Sequence, residues 1–392
     1  MLNRRSLRVK AMQTLFAYHQ CTDANSNLGL EEIDEEFSPD LNSMDAPDHD
    51  KLKSDIEQAK KIYSSNLTGI ALEDDTPVSI EAQNKANAVF ELFNKRCRDD
   101  FDHLSKQMVN DAQALVDRFL EVISLLISWS DYSKVEADKK RKLTPERLFV
   151  GDYNFSKNKV VQFFRDSSKV QVALIKKDIT WENDEDNVKN WFKEIIKKDE
   201  LFAEYRRIAE PTFDKDKELI DHLIKQIIFK NEQILPFFES KDIFWIEDKA
   251  IVRSLVTRSI RDLEHDSSPK EFDVPDFSNN WEEDKEFFEQ IFKLTVEKSK
   301  EYSDMIANKT KNWDVERLAI TDQIILKMAI TEMLNFTSIP LKVTINEYIE
   351  LSKNYSTPKS KQFVNGVLDV ISNELQTEGR VKKSGRGLMD NK

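Results

Sequence analysis

The chain has 392 residues, enough for one to three domains with an ample core. Seven glycines and ten prolines are few for this length, and the abundance of Lys, Glu, Leu and Ile predicts an all-α protein. A net charge of −13 excludes a globally basic nucleic-acid binder, so any RNA site has to be a local basic patch. The two cysteines, Cys21 and Cys97, form no CxxC and fit a reducing compartment. No apolar run reaches the roughly 20 residues of a membrane span, and the expected location is the cytoplasm.

Residues 1–20 contain Arg4, Arg5, Arg8 and Lys10 and no acid. Leu7, Ala11, Leu15 and Tyr18 fall on one helical stripe, with Val9, Met12 and Phe16 on a second. Arg4 and Arg8 are i,i+4 neighbours at a helix start, where the macrodipole disfavours cations. Three readings stay open for them: a phosphate-binding patch, a solvated helix end, or an arginine-rich transit peptide. Residues 21–55 reverse the charge and predict an acidic, solvated linker, with an acidic mimic of RNA as the alternative.

From about 79 to 135 the pattern is helical, and Val116, Phe119, Leu120, Ile123, Leu126 and Ile127 form a wide apolar face. Residues 56–264 are expected to be an inserted helical domain. Within it, Lys139-Lys140-Arg141-Lys142 reads as an exposed helix end or as a secondary RNA or ribosome contact. Phe155, Phe163, Phe164, Trp181, Trp191 and Phe192 read as core aromatics, with base stacking as the alternative. A weak echo aligns Asp216-Lys217-Glu218-Leu219 through Trp245 with Asp284-Lys285-Glu286-Phe287 through Trp313; duplication and shared periodicity both account for it. Residues 265–280, with Pro269 and Pro275, predict a second linker.

Residues 281–308 predict an amphipathic helix through Phe287, Phe288, Ile291 and Phe292. Three further helical patterns come after it, broken at Ser338-Ile339-Pro340 and at Ser356-Thr357-Pro358. Gly366 lies inside the last, where glycine costs about 1 kcal/mol relative to alanine. That cost points to a helix or a ligand crossing closely there. Residues 376–392 predict a loose basic tail.

Motifs at the two ends of the chain carry a resemblance. Ile339-Pro340-Leu341-Lys342-Val343 is followed by Ile345-Asn346-Glu347 and Glu350-Leu351. Then comes Lys361-Gln362-Phe363-Val364-Asn365-Gly366-Val367-Leu368-Asp369. At the other end stand Arg4-Arg5-Ser6-Leu7-Arg8 and Ala11-Met12-Gln13-Thr14-Leu15-Phe16. Together, and in this order, they resemble the NusB family of bacterial transcription antitermination factors. The resemblance implies two packed antiparallel helix bundles from residues 1–20 and 281–375. It implies binding of boxA-type single-stranded RNA with NusE, a small-subunit ribosomal protein, inside the RNA polymerase antitermination complex. The RNA contacts it implies are Arg4, Arg5, Arg8, Lys359, Lys361 and Phe363, where Phe363 is also readable as plain core. The partner contacts it implies are Phe16, Glu316 and Asp322, where the two acids are also readable as a solvated face. Asp322 is shorter than the Glu associated with that family position.

Residues that would carry catalysis are not found: the five histidines are scattered, with no HExxH, no phosphate loop and no nucleophile elbow. A binding protein without metal or cofactor is expected. Two alternatives remain at this level: a helical scaffold or ribosome-biogenesis protein without boxA binding, and a relative of the NusB-like domain fused to ribosomal RNA methyltransferases. The latter would need an α/β cofactor domain that the sequence does not contain.

Overall fold

The computed structural model describes residues 2–38, 48–70, 78–309 and 319–391, with side chains as far as Leu388. Among these residues every regular element is helical. The first three helices are long: α1 (Arg4–Glu36), α2 (His49–Thr68) and α3 (Ile80–Leu143). Seven shorter ones come next: α4 (Lys159–Asp166), α5 (Ser168–Lys176), α6 (Glu185–Glu194), α7 (Glu200–Tyr205), α8 (Phe213–His222), α9 (Leu235–Lys241) and α10 (Trp245–Arg261). The last five are α11 (Trp281–Glu297), α12 (Ser299–Lys309), α13 (Ile320–Asn335), α14 (Leu341–Tyr355) and α15 (Ser360–Thr377). None of them is long and apolar enough to cross a membrane.

The chain divides into two compact units. A central unit comprises Met1–Ser6 and Asn110–Asp284, and a terminal unit comprises Leu7–Val109 and Lys285–Lys392. The expected insert at 56–264 therefore has different edges: residues 56–109 pack with the terminal helices, and the division falls inside α3.

In the terminal unit α13 is the central helix. Ile324, Ile325, Leu326, Met328, Ala329, Ile330 and Met333 are all buried, so it is apolar on nearly every side, and α12, α14 and α15 pack against it. The α1 stripe of Leu7, Ala11 and Leu15 is buried as well.

The acidic segment after it does not form a linker as far as Glu36. Asn25, Gly29, Ile33 and Phe37 recur every four residues and are buried, while Glu31, Asp34, Glu35 and Glu36 face solvent. That stripe continues α1 and packs with α2 and the start of α3, through Ala59, Ile62, Tyr63, Ala82, Ala86 and Val89. A side chain at Gly29 would collide with the Tyr63 ring, so this glycine is what admits α2. α2 is itself set by Asp48, which accepts from the Lys51 amide, and by Gly69, which ends it in the left-handed conformation.

The central unit has its own core. Trp129 and Trp181 are buried, and their indole N–H groups donate to the carbonyls of Val188 and Glu121, both at 3.2 Å. Phe155, Phe192 and Phe202 pack edge-to-face or stacked around one point, and Trp181, Trp191, Phe237 and Phe238 around another.

The expected basic tail is tied down. Ser384 donates its amide to the Thr337 carbonyl at 3.0 Å, and Lys383 Nζ reaches the Phe336 carbonyl at 2.9 Å. Gly387 lies so close to Thr337 that only glycine fits. Gly366 is the opposite case: it is exposed, and nothing would meet a Cβ there within 4 Å. Among the described residues no helix crosses at Gly366.

Candidate functional site

Asn3 caps α1, its Oδ1 accepting from the Ser6 amide at 3.0 Å. Arg4 and Arg5 therefore occupy the first helical turn. Arg4 lies against Glu283, with Asp284 3.8 Å away, and is about one-third exposed, whereas Arg5 is exposed. An ion pair as open as Arg4–Glu283 contributes little to stability and exchanges readily for another anion. All of these groups belong to the central unit.

Arg8 is different in kind. It is buried, and its Nε and Nη2 donate to Glu332 Oε2 and Oε1 at 2.7 and 2.8 Å. Glu347 lies 3.7 Å away, and the Phe287 and Tyr348 rings flank the guanidinium at 5.3 and 5.9 Å. Thr344 and Tyr348 donate to the same Glu332 carboxylate at 2.8 and 3.2 Å. Burial opposes charge on Arg8, but the Glu332 bonds and charge more than offset it, and its pKa is raised. Burial next to Glu332 also pushes the Tyr348 hydroxyl up. The expectation that Arg8 contacts RNA is corrected: its donors hold α1 to α13 and α14, away from solvent. Lys10 is buried as well.

At the start of α15, Lys359 and Lys361 are exposed and Phe363 is half-buried. Ser360, between the two lysines, is buried and donates to Asp322 Oδ2 at 2.6 Å. Ser356 and Thr357 approach the same hydroxyl at 3.0 and 2.8 Å. Asp322 is thus a buried carboxylate that anchors the first turn of α15 to α13. The expectation that it forms a partner surface is corrected for that reason. Phe16 is 42% exposed on α1. Glu316 and Trp313 lie outside the described residues.

One polar side chain was not anticipated. Lys327 on α13 donates to Ser299 Oγ at 2.9 Å and lines a cavity of about 300 Å³ with Leu15, Tyr18, Val296 and Ile324. Burial pushes its pKa down. Its place among the apolar residues of α13 was the available signal.

Similarity to a protein family falls on the segment that carries Asp322, Lys327, Glu332 and the start of α15, and does not include α1. The model of the NusB family matches residues 249–373, beginning within α10 and ending in α15. "Transcription antitermination protein NusB" of Salinibacter ruber is 43% identical over 105 residues, 27% of this chain and 66% of that protein. The protein of the same description from Chloroherpeton thalassium is 43% identical over 106 residues, 27% of this chain and 50% of its own length. That from Koribacter versatilis is 39% identical over 103 residues, 26% of this chain and 70% of its own length. The chain thus spans about half to two thirds of the first two relatives. No solved structure gives a significant match.

Proposed function

The chain belongs to the NusB family, and from that membership we propose that it is a transcription antitermination factor. In this reading it binds boxA-type single-stranded RNA of nascent ribosomal transcripts, together with the ribosomal protein NusE, in the antitermination complex of RNA polymerase. The NusB-like part is residues 1–20 and 281–375, and the residues between these two stretches are inserted. It acts by binding, without catalysis.

The observation that carries the RNA reading is the first turn of α15. Lys359 and Lys361 project to solvent there, Phe363 is partly open, and the positive end of the helix dipole favours a phosphate. A base stacked on Phe363 is worth about 1–3 kcal/mol. Gly366, one turn further on, leaves open backbone that an incoming chain can approach. Arg4 and Arg5 supply further phosphate contacts. Arg8, Glu332 and Asp322 take no direct part; they fix the helices that carry the contacts. Phe16 and Glu316 are assigned to NusE.

The test is fluorescence anisotropy with a boxA-type RNA and a scrambled RNA of equal length, with and without NusE. The reading expects preference for boxA and tighter binding with NusE present. Equal affinity for both RNAs, unchanged by NusE, overturns it.

A further inference from the structure

The central unit has a basic corner that lies outside the family match. α3 ends in Lys139, Lys140, Arg141 and Lys142, and Glu146 is the one acid from residue 139 to 151. Cations in a last helical turn are favoured by the helix dipole, which accounts for part of this run. It does not account for the segment beyond the helix, where Arg147, Phe149 and Val150 are exposed, or for Arg207, exposed after α7.

These pieces are locked to one another. Buried Asp152 accepts from the Phe149 amide at 3.0 Å, from Lys140 Nζ at 3.1 Å and from Arg206 Nε at 2.7 Å. Gly151 donates its amide to the Arg206 carbonyl at 3.2 Å. A Cβ at Gly151 would lie 2.6 Å from that oxygen and 2.7 Å from the Ile208 carbonyl, so glycine permits the approach. Asn154 Nδ2 closes the corner on the Ile208 carbonyl at 2.7 Å.

One carboxylate therefore absorbs Lys140 and Arg206 into the frame. Both also lie over the Phe149 ring, at 5.7 and 5.1 Å, yet Phe149 remains 51% exposed. Lys139, Arg141, Lys142, Arg147 and Arg207 form no ion pair with a carboxylate among the described residues. A rigid frame that presents such cations around an open aromatic ring is the composition that holds single-stranded nucleic acid: cations track the backbone and the ring stacks a base. An acidic peptide would use the cations but would leave the ring without a partner.

We propose that this corner of the central unit is a second, sequence-tolerant contact for single-stranded RNA. It does not depend on the boxA reading, because it needs only phosphates and an unstacked base. The central unit would then add affinity for RNA without adding sequence preference.

The test uses the full chain and a labelled oligouridine, with anisotropy recorded over a salt series. Arg141→Ala/Lys142→Ala/Arg147→Ala is expected to lower affinity at low salt at least about tenfold and to flatten the log–log salt slope by about 2 units. Phe149→Ala is expected to weaken binding about five- to hundredfold with the slope unchanged. Arg141→Lys/Arg147→Lys, which keeps the charge, is expected to preserve the slope and serves as the control for folding. Affinity and slope unchanged in the triple variant overturn the proposal. So does a triple variant that loses binding to phosphatidylserine vesicles while keeping oligouridine. A protein that binds oligouridine through this corner but shows no boxA preference sinks the antitermination reading and leaves this one standing.

Discussion

Arg8 and Glu332 are 324 residues apart in the chain and meet in a two-pronged, buried ion pair. The pair ties the first helix to α13 and, through Thr344 and Tyr348, to α14. Every oxygen of Glu332 is engaged, which is the condition under which a buried charge is tolerable. The two ends of the sequence that carry the family motifs are thus joined by this contact in the terminal unit.

Breaking one side of the pair should cost far more than removing both. Glu332→Ala leaves the Arg8 guanidinium buried with only Glu347 nearby, and a loss of about 3–5 kcal/mol is expected. Replacing both with apolar residues, Arg8→Met/Glu332→Met, should recover part of it, because the buried guanidinium is gone and only the Thr344 and Tyr348 hydroxyls lose their acceptor. Urea unfolding of the three proteins checks this; equal losses for the single and double variants would mean that the pair is not the joint.

Asp322 should respond to substitution as a surface residue would not. Asp322→Ala removes the acceptor of a buried Ser360 hydroxyl, and a loss of about 1–3 kcal/mol is expected. Ser360→Ala should cost a similar amount, and the double variant less than the sum, since both delete one bond. A melting temperature unmoved by Asp322→Ala would return this residue to the partner surface.

Acid should loosen the corner around Asp152. Burial alone would push its carboxyl up, but the bonds from Arg206, the Phe149 amide and Lys140 outweigh that and hold it below the ordinary carboxylate value of 3.8. A depressed pKa means stability that is present above the unfolded value and is lost as pH falls through the folded one. Asp152→Asn should therefore be less stable than the parent by about 1–3 kcal/mol at neutral pH. The gap should narrow as pH drops below 3.8. Melts of the two proteins at pH 7, 4 and 3 measure it, and a gap that stays constant would remove Asp152 as the source.

Gly366 separates folding from binding in a single substitution. With nothing within 4 Å and an ordinary helical setting, Gly366→Ala should stabilise the terminal unit by about 0.5–1 kcal/mol. If the RNA approaches the bare backbone there, the same change should weaken boxA binding. A variant that is both more stable and bound as tightly leaves Gly366 with no part in recognition.

The helical class and the terminal motifs were legible because periodicity and turn chemistry are local. The 25, 29, 33, 37 stripe was equally local, yet the density of acids between its members hid it and made a helix read as a linker. Arg8 was misread because a cation at a helix start looks exposed. Its register with Met12 and Leu15, on the buried side, was the signal. Glu332, one acid in the apolar run from Ile324 to Met333, was the matching one. Pairing them needs the tertiary fold, since nothing in either segment names the other. Asp322 was misassigned for a related reason: its partner, Ser360, lies 38 residues away. The central unit resisted division by composition because α3 carries one continuous helical pattern through the boundary at residue 110.

Arg4 and Arg5, at the start of α1, can be removed without dismantling the terminal unit. Replacing Arg8 would confound binding with unfolding, so the variant of choice is Arg4→Ala/Arg5→Ala. Arg4 faces Glu283 in an open ion pair, and its loss should change stability by no more than about 1 kcal/mol. For single-stranded RNA each phosphate contact contributes about −0.7 to the slope of log affinity against log salt. If both arginines hold phosphates, the slope should flatten by about 1.4 units and low-salt affinity for boxA-type RNA should fall steeply. Glu283→Gln offers the converse: releasing Arg4 from its acid should tighten binding at low salt and make the slope steeper. Anisotropy titrations at four salt concentrations, alongside thermal melts, decide it. Parallel slopes for the parent, Arg4→Ala/Arg5→Ala and Glu283→Gln would mean that these arginines do not touch phosphate, and the RNA contacts would have to be sought at the start of α15 and around Phe149.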